Sequence, residues 1–246
     1  MRDDLLDAQA SVDWAISHFP SLKERLSSWL ETKVSVEIKE LDTNTANNVI
    51  VAVEKEALPR VFNVEVGAYI NALRSSLDLL ATSLAYRHNI PNAEKVYFPI
   101  LEDAGEFLSG KYRGDEFVKG MPAPVRSVIE SLKPYRGGND TLWLLHHLDI
   151  VRKHRRLLSV EVLPQRLSII ASGPLNYTLL PQAVPGTDGE TILGLIPKGA
   201  PKPKFQLAAG VSIEDWSVGG FRAPLVEALD QFAGLTNSII EMFDRV

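Results

Sequence analysis

Apolar residues recur every three or four positions in several stretches of the chain, a spacing typical of helices with one buried face. It predicts long helices over 3–32, 65–88, 141–158 and 222–245, and a short helix over 124–132. The clearest pattern is that of the 65–88 helix, with Val66, Ile70, Leu73, Leu77, Leu80 and Leu84. Pro20 is expected to kink or break the first helix, because proline lacks an N–H and clashes with the preceding turn.

Two segments alternate apolar and polar residues, 34–39 and 49–54, and a polar stretch at 42–48 separates them. This arrangement predicts an antiparallel hairpin. Further short β-rich runs lie at 159–163, 167–171, 191–197 and 205–213. We therefore predict one α+β domain over 1–246, in which a helical layer packs on an antiparallel sheet of about five strands. Its parts are a helical core (60–160), β-rich regions (33–56 and 159–215) and a C-terminal helix.

Composition excludes several classes of site. The chain of 246 residues has no cysteine, so disulfides, thiolate metal sites and cysteine nucleophiles are ruled out. Its acidic start does not resemble a signal peptide, and no apolar stretch approaches the ~20 residues of a membrane span. We expect a soluble, cytoplasmic protein. It has no glycine-rich phosphate loop, nucleophile elbow or metal-ligand spacing, so no cofactor or metal is predicted.

A strip of polar residues borders the apolar face of the 65–88 helix. Asn71, Arg74 and Asp78 are three and seven positions apart, which places them on one side of a helix. Arg74 and Asp78 are also four apart and could pair along the helix. Arg74 and Asp78 could instead form an ordinary ion pair without a functional role, and this alternative is left open.

The 141–158 helix contributes histidines. On a helical wheel centred on His154, the side chain of His147 lies on the same apolar side, whereas Asp149, Arg152 and Arg156 lie opposite. Either histidine could then meet Arg74 and Asp78 across a helix–helix interface, in an arrangement suited to acid–base chemistry or to holding a phosphate. The alternative is that the histidines are hydrogen-bonded core residues that only stabilise the fold.

The run Arg152-Lys-His-Arg-Arg156 is strongly basic. Cations in the last turns of a helix favour the negative end of its dipole, which explains the run without any ligand. Alternatively, Lys153 and Arg155 could contact an anion or RNA, with Tyr135 offering an aromatic face for stacking. The formal net charge of -5 disfavours broad binding to nucleic acid.

Four segments resemble a widespread group of bacterial proteins that has no assigned activity. Residues 67–80 resemble its pattern G-D-x-x-H-N-L-R-S-A-L-D-H-L, residues 98–100 its F-P-I, residues 132–135 its L-Q-P-Y and residues 151–157 its I-D-K-H-R-x-L. Arg74, Asp78, Lys153, His154 and Arg155 match that pattern. At other positions this chain differs from it and carries Ala68, Asn71, Ala72, Leu79 and Arg152.

The paired helices are also distantly similar to HEPN domains, which occur in RNA-cleaving proteins. Those domains use an arginine and a histidine four to six residues apart on one helix, and no histidine follows Arg74 or Arg152 at that distance.

Three functional hypotheses follow. In the first, a bacterial protein holds a polar cluster between two helices that binds a small anion or nucleotide, or is purely structural. In the second, the protein is a metal-independent ribonuclease of HEPN type, in which His154 is the acid–base group, Arg74 clamps the phosphate and Asp78 completes the catalytic set. In the third, it is a non-catalytic module that dimerises through the C-terminal helix, with Phe232, Ile239 and Phe243 facing the partner.

Overall fold

A computed structural model describes residues 1–40, 46–112, 114–170, 176–186, 190–201, 203–215 and 221–246. The helices in these ranges are α1 (Leu6–Lys33), α2 (Arg60–Arg87), α3 (Ala104–Ser109), α4 (Asp115–Gly120), α5 (Ala123–Ser131), α6 (Asp140–His154) and α7 (Leu225–Asp244). The strands are β1 (Val34–Glu40), β2 (Asn47–Glu54), β3 (Ser159–Ile170), β4 (Thr178–Pro185), β5 (Glu190–Pro197), β6 (Lys204–Asp215) and β7 (Phe221–Pro224).

Helix α2 lies at the centre of the helical layer and contacts α1, α6 and α7. The apolar stripe predicted for it is confirmed, since all six of its residues are fully buried: Val66, Ile70, Leu73, Leu77, Leu80 and Leu84. Helix α1 runs unbroken through Pro20, so the predicted break is wrong. Pro20 is exposed, and water can therefore satisfy the carbonyl that its missing N–H leaves without a donor.

Helix α7 covers the other side of the core. Phe232, Ile239 and Phe243 are buried inside the chain's own core, so the predicted dimer contact through these side chains is wrong. These three side chains belong to the apolar face by which α7 packs on α1, α2 and α6 of the same chain. Burying such a stripe against neighbouring helices is what stabilises an amphipathic helix.

The α+β class and the antiparallel pairing are confirmed, and the strands are divided between two sheets. One sheet has the order β1-β2-β5-β4 and the other the order β3-β6-β7. The predicted hairpin is the β1–β2 pair, and most of its turn (41–45) lies outside the described residues. The runs 159–163 and 167–171 belong to one strand, β3, whose pairing shifts between Pro164 and Arg166; residue 171 itself lies outside the described ranges.

Strand β6 connects two hydrophobic cores. Near its carboxyl end, Val211 and Ile213 belong to the main core with the helices. Near its amino end, Phe205 and Leu207 pack on a smaller core between the sheets, formed by Ile50, Ala52, Leu193 and Ile196. The carboxyl end of β6 therefore points towards α6 and carries Asp215 to that helix.

Helix α6 begins at Asp140, with Asn139 as its cap, and ends earlier than predicted. The Asn139 side chain accepts a hydrogen bond of 3.1 Å from the N–H of Leu142, as the cap position requires. The helix ends at His154, so residues 155–158 are not helical. Within the ranges given above, none of the helices has the length and apolar character that crossing a bilayer requires.

Candidate active-site cleft

A buried guanidinium lies where α2, α6 and the segment 97–101 meet. Arg74 is only 4% exposed, and one of its terminal nitrogens donates to Asp78 Oδ1 at 2.6 Å. Its Nε donates to His146 Nδ1 at 2.9 Å, and its other terminal nitrogen donates to the Phe98 carbonyl at 3.2 Å. Asp78 Oδ1 also accepts the Phe98 N–H at 3.0 Å. Three separate chain segments thereby fix the guanidinium in one orientation.

The geometry determines the protonation state of His146. Arginine can only donate, so Nδ1 of the ring must be the unprotonated nitrogen and Nε2 must carry the hydrogen. Burial, followed by the positive charges of Arg74, Lys153 and His147, lowers the pKa of His146 to about 3. At neutral pH this imidazole is a neutral hydrogen-bond donor. It is therefore unsuited to take up a proton as a general base.

A second polar group lies one turn away along α6. Asp149 is 3% exposed, and its Oδ1 accepts a hydrogen bond of 3.1 Å from the Asn71 side chain. Lys153 reaches its Oδ2 at 2.6 Å, and Arg152 lies 3.6 Å from its Oδ1. A buried carboxylate requires such partners, because an isolated charge in the interior is costly. This group, together with Arg74 and His146, joins α2 to α6.

These residues line a cleft of about 420 Å³. Arg74, Asp78, His146, Asp149, Lys153, His154 and Glu106 form its polar wall, and Tyr97, Phe98, Pro99, Ile100, Leu101 and Ile150 the rest. The volume lies within the roughly 300–1,000 Å³ of small-molecule sites. A polar wall opposite an apolar one can orient an organic molecule that carries a charged group.

The prediction that His154 lies on the apolar face is wrong. His154 is exposed at the last position of α6, and it lines the rim of the cleft that also contains Arg74 and Asp78. The imidazole that contacts Arg74 is that of His146. The helical wheel centred on His154 gave the wrong buried face. The residues that α6 buries include Leu142, Leu145 and Asp149, which are three and four positions apart and point away from His154.

His147 also lies elsewhere than predicted. Its Nε2 is 2.9 Å from Oδ2 of Asp215, a carboxylate that is 1% exposed at the end of β6. Arg156 reaches the other oxygen of Asp215 at 3.3 Å, and the ring of His147 stacks on Trp143 with centroids 5.1 Å apart. This cluster fastens α6 to the sheet. None of these contacts involves Arg74 or Asp78.

The other predicted binding residues are spread over the surface. Lys153 lines the cleft, as described, whereas Arg155 is exposed just beyond α6 and is not among the residues that line it. Tyr135 packs against Phe107, with ring centroids 5.7 Å apart, and lines a different depression near α4 and α5. The proposed aromatic platform beside the basic run is therefore not formed.

A pattern in the sequence could have identified Asp149 and His146 as site residues. Leu142, Leu145 and Asp149 follow the spacing of a buried face, and His146 flanks that face. A wheel centred on Leu142 and Leu145 would have placed Asp149 in the interface. The role of the Phe98 backbone had no such sign, because it depends on how the 97–101 segment packs.

Among the described residues, no three histidine, aspartate or glutamate side chains lie close enough together to hold a metal ion. Comparison of the chain with protein-family profiles, with curated proteins and with solved structures gave no match in any of the three.

Proposed function

We propose that the cleft binds a small organic anion, such as a mononucleotide, through the donors of Arg74 and His146. The proposal is carried by one observation, the guanidinium that Asp78, His146 and the Phe98 carbonyl hold in place at the wall of the cleft. A fixed donor of this kind loses little conformational freedom when a ligand binds.

Arg74 retains unused hydrogen-bonding capacity. A guanidinium has five N–H groups, and the three contacts described above use one on each nitrogen. Each terminal nitrogen therefore has a second N–H that can donate to a ligand. Either N–H group can donate to an oxygen of a carboxylate or phosphate, and such charge-assisted bonds are among the strongest hydrogen bonds in proteins.

His146 adds a neutral donor beside them. Its Nε2–H makes no hydrogen bond to a described residue, and its ring lines the cleft next to Arg74. Because Arg74 occupies Nδ1, the ring keeps Nε2 protonated at neutral pH. Because Nε2–H points away from the nitrogen that Arg74 occupies, different atoms of one ligand can accept from the two side chains.

The remaining walls favour a small anion over a highly charged one. Lys153 at the rim can add positive charge, but it already pairs with Asp149. The carboxylates of Asp78, Asp149 and Glu106 line the same cleft and repel negative charge elsewhere in it, so the anionic group is expected to bind directly at the remaining N–H groups of Arg74 and His146. Pro99 and Ile150 provide an apolar surface for the organic part of the ligand.

The test is titration calorimetry with AMP, inorganic phosphate and adenosine as probes. AMP and phosphate are expected to bind, and adenosine to bind much more weakly because it lacks the anion. The diagnostic variant is His146→Asn, whose side-chain oxygen can still accept from Arg74 but which has no donor at the Nε2 position. Loss of one hydrogen bond to a charged group is worth about 1.5–3 kcal/mol, so its affinity for AMP should fall at least about tenfold.

Lys119→Gln is a matched control for Lys153→Gln, because each lysine pairs with an aspartate four positions away on a helix. Lys153→Gln should weaken AMP severalfold and Lys119→Gln should have no effect. The proposal fails if neither AMP nor phosphate binds at millimolar concentration. It also fails if AMP binds equally well to wild type and His146→Asn, in which case the cluster only stabilises the fold.

A ribonuclease is the second candidate, favoured by the exposed His154 on the rim of the cleft that holds Arg74. This hypothesis predicts metal-independent cleavage of single-stranded RNA, lost in His154→Ala. His18→Ala is the control, since His18 is an exposed histidine on α1. Intact RNA in the presence of the wild-type protein would eliminate this candidate and leave the binding proposal unaffected.

A further inference from the structure

A second cavity lies at the other end of α6, bounded by β7 and the first turns of α7. Its volume is about 510 Å³, and among the described residues none that lines it also lines the cleft around Arg74. Its apolar lining includes Leu144, Phe221 and Ala223, with the almost fully buried rings of Trp143 and Phe232 behind them. A concave, largely apolar site of this size is typical of small-molecule binding.

The Trp143 ring in this wall is held rigidly. Its Nε1–H donates to Glu102 at 3.1 Å, and one neighbour on α6, His147, stacks on it. The guanidinium of Arg136 lies 4.9 Å from its ring centroid. A cation over an indole face is attracted by the negative charge of the π-system, so the ring already attracts positive charge in this structure.

The charge at the mouth of the cavity is asymmetric. Arg136 is 3.6 Å from Glu102, which offsets its positive charge. Asp140 and Glu227 also line the mouth, and neither forms an ion pair with a described residue. The mouth therefore has an excess of negative charge, which attracts cations and repels anions.

We propose that this cavity is a binding site for a small aromatic cation, of the size of an arylalkylamine. The aromatic ring of the ligand packs on the partly exposed side chains of Leu144, Phe221 and Ala223, and its ammonium group lies at the mouth beside Asp140 and Glu227. The site is independent of the anion proposed for the Arg74 cleft, since the two share no lining residue in the part of the chain that the structure describes.

The test uses two probes with the same ring and opposite charge, tryptamine and indole-3-propionate, in titration calorimetry with the full chain. Tryptamine is expected to bind at least tenfold more tightly. Adding saturating AMP should leave its affinity unchanged, so that a failure here and a failure of the anion proposal are distinguishable.

Two variants test whether tryptamine binds in this cavity. Ala223→Trp fills the cavity from β7 and should abolish tryptamine binding, with circular dichroism and the melting temperature checking the fold. Glu227→Gln removes an exposed charge and should weaken tryptamine severalfold, whereas Glu116→Gln, an exposed acid on α4, should not. The proposal is overturned if tryptamine does not bind at millimolar concentration, if both probes bind equally, or if folded Ala223→Trp binds like wild type.

Discussion

Protonation of His146 couples the cleft to the stability of the whole chain. In the folded protein, burial and the neighbouring Arg74 lower its pKa to about 3, whereas a histidine in an unfolded chain titrates near 6.5. Between these two values the unfolded chain takes up a proton that the folded chain does not. The free energy of unfolding must therefore fall as the pH drops from about 6.5 towards about 3.

At pH 5, about 1.5 units below the unfolded pKa, this difference amounts to on the order of 2 kcal/mol relative to pH 8. The variant His146→Asn lacks the titrating group but keeps an acceptor for the Arg74 Nε–H. Urea denaturation of both proteins at pH 8 and pH 5 measures the effect. Any change that the substitution itself makes to stability cancels in the difference between the two pH values.

Wild type should lose on the order of 2 kcal/mol more than His146→Asn on acidification. The exposed histidine of α1 provides the control, and His18→Asn should follow wild type at both pH values. Equal pH dependence in wild type and His146→Asn would refute the assignment of a neutral, buried imidazole beside Arg74.

Three further substitutions test the packing that surrounds the site, each by urea denaturation. Asn139→Ala removes the cap of α6 and should lower the free energy of unfolding by about 1 kcal/mol; no change would mean that the capping hydrogen bond contributes nothing. Asp78→Ala leaves the buried guanidinium of Arg74 without its carboxylate and should cost about 2 kcal/mol, reduced from the fully buried case because Asp78 is partly exposed. Phe243→Ala opens the core and should cost about 3–5 kcal/mol, whereas a side chain facing a partner would change the mass and not the stability.

Local patterns predicted the helices well and the sheets less well. The α2 stripe was readable because one helix buries a single face along its whole length. Strand β7 and the start of α7 were merged, since Phe221–Pro224 is too short to show alternation. The division into two sheets was also hidden, because it depends on which distant strands pair.

In the candidate site, too, local contacts were predictable and contacts between distant segments were not. Arg74 and Asp78 were found because their contact is local, four residues apart on one helix. The histidine was misassigned because its identity depends on how α6 is rotated against α2, and that rotation is fixed by Leu142, Leu145 and Asp149. The contacts of Arg74 and Asp78 with the Phe98 backbone arise only from tertiary packing.

The most direct measurement is a long-range ¹H–¹⁵N correlation spectrum of the imidazole side chains at neutral pH, with and without inorganic phosphate. His146 should be neutral with its hydrogen on Nε2, and the Nε2 resonance should shift as phosphate is added, while that of His18 does not. A hydrogen on Nδ1, a doubly protonated ring, or an Nε2 resonance unmoved by phosphate would contradict the proposal that Arg74 and His146 together bind an anion.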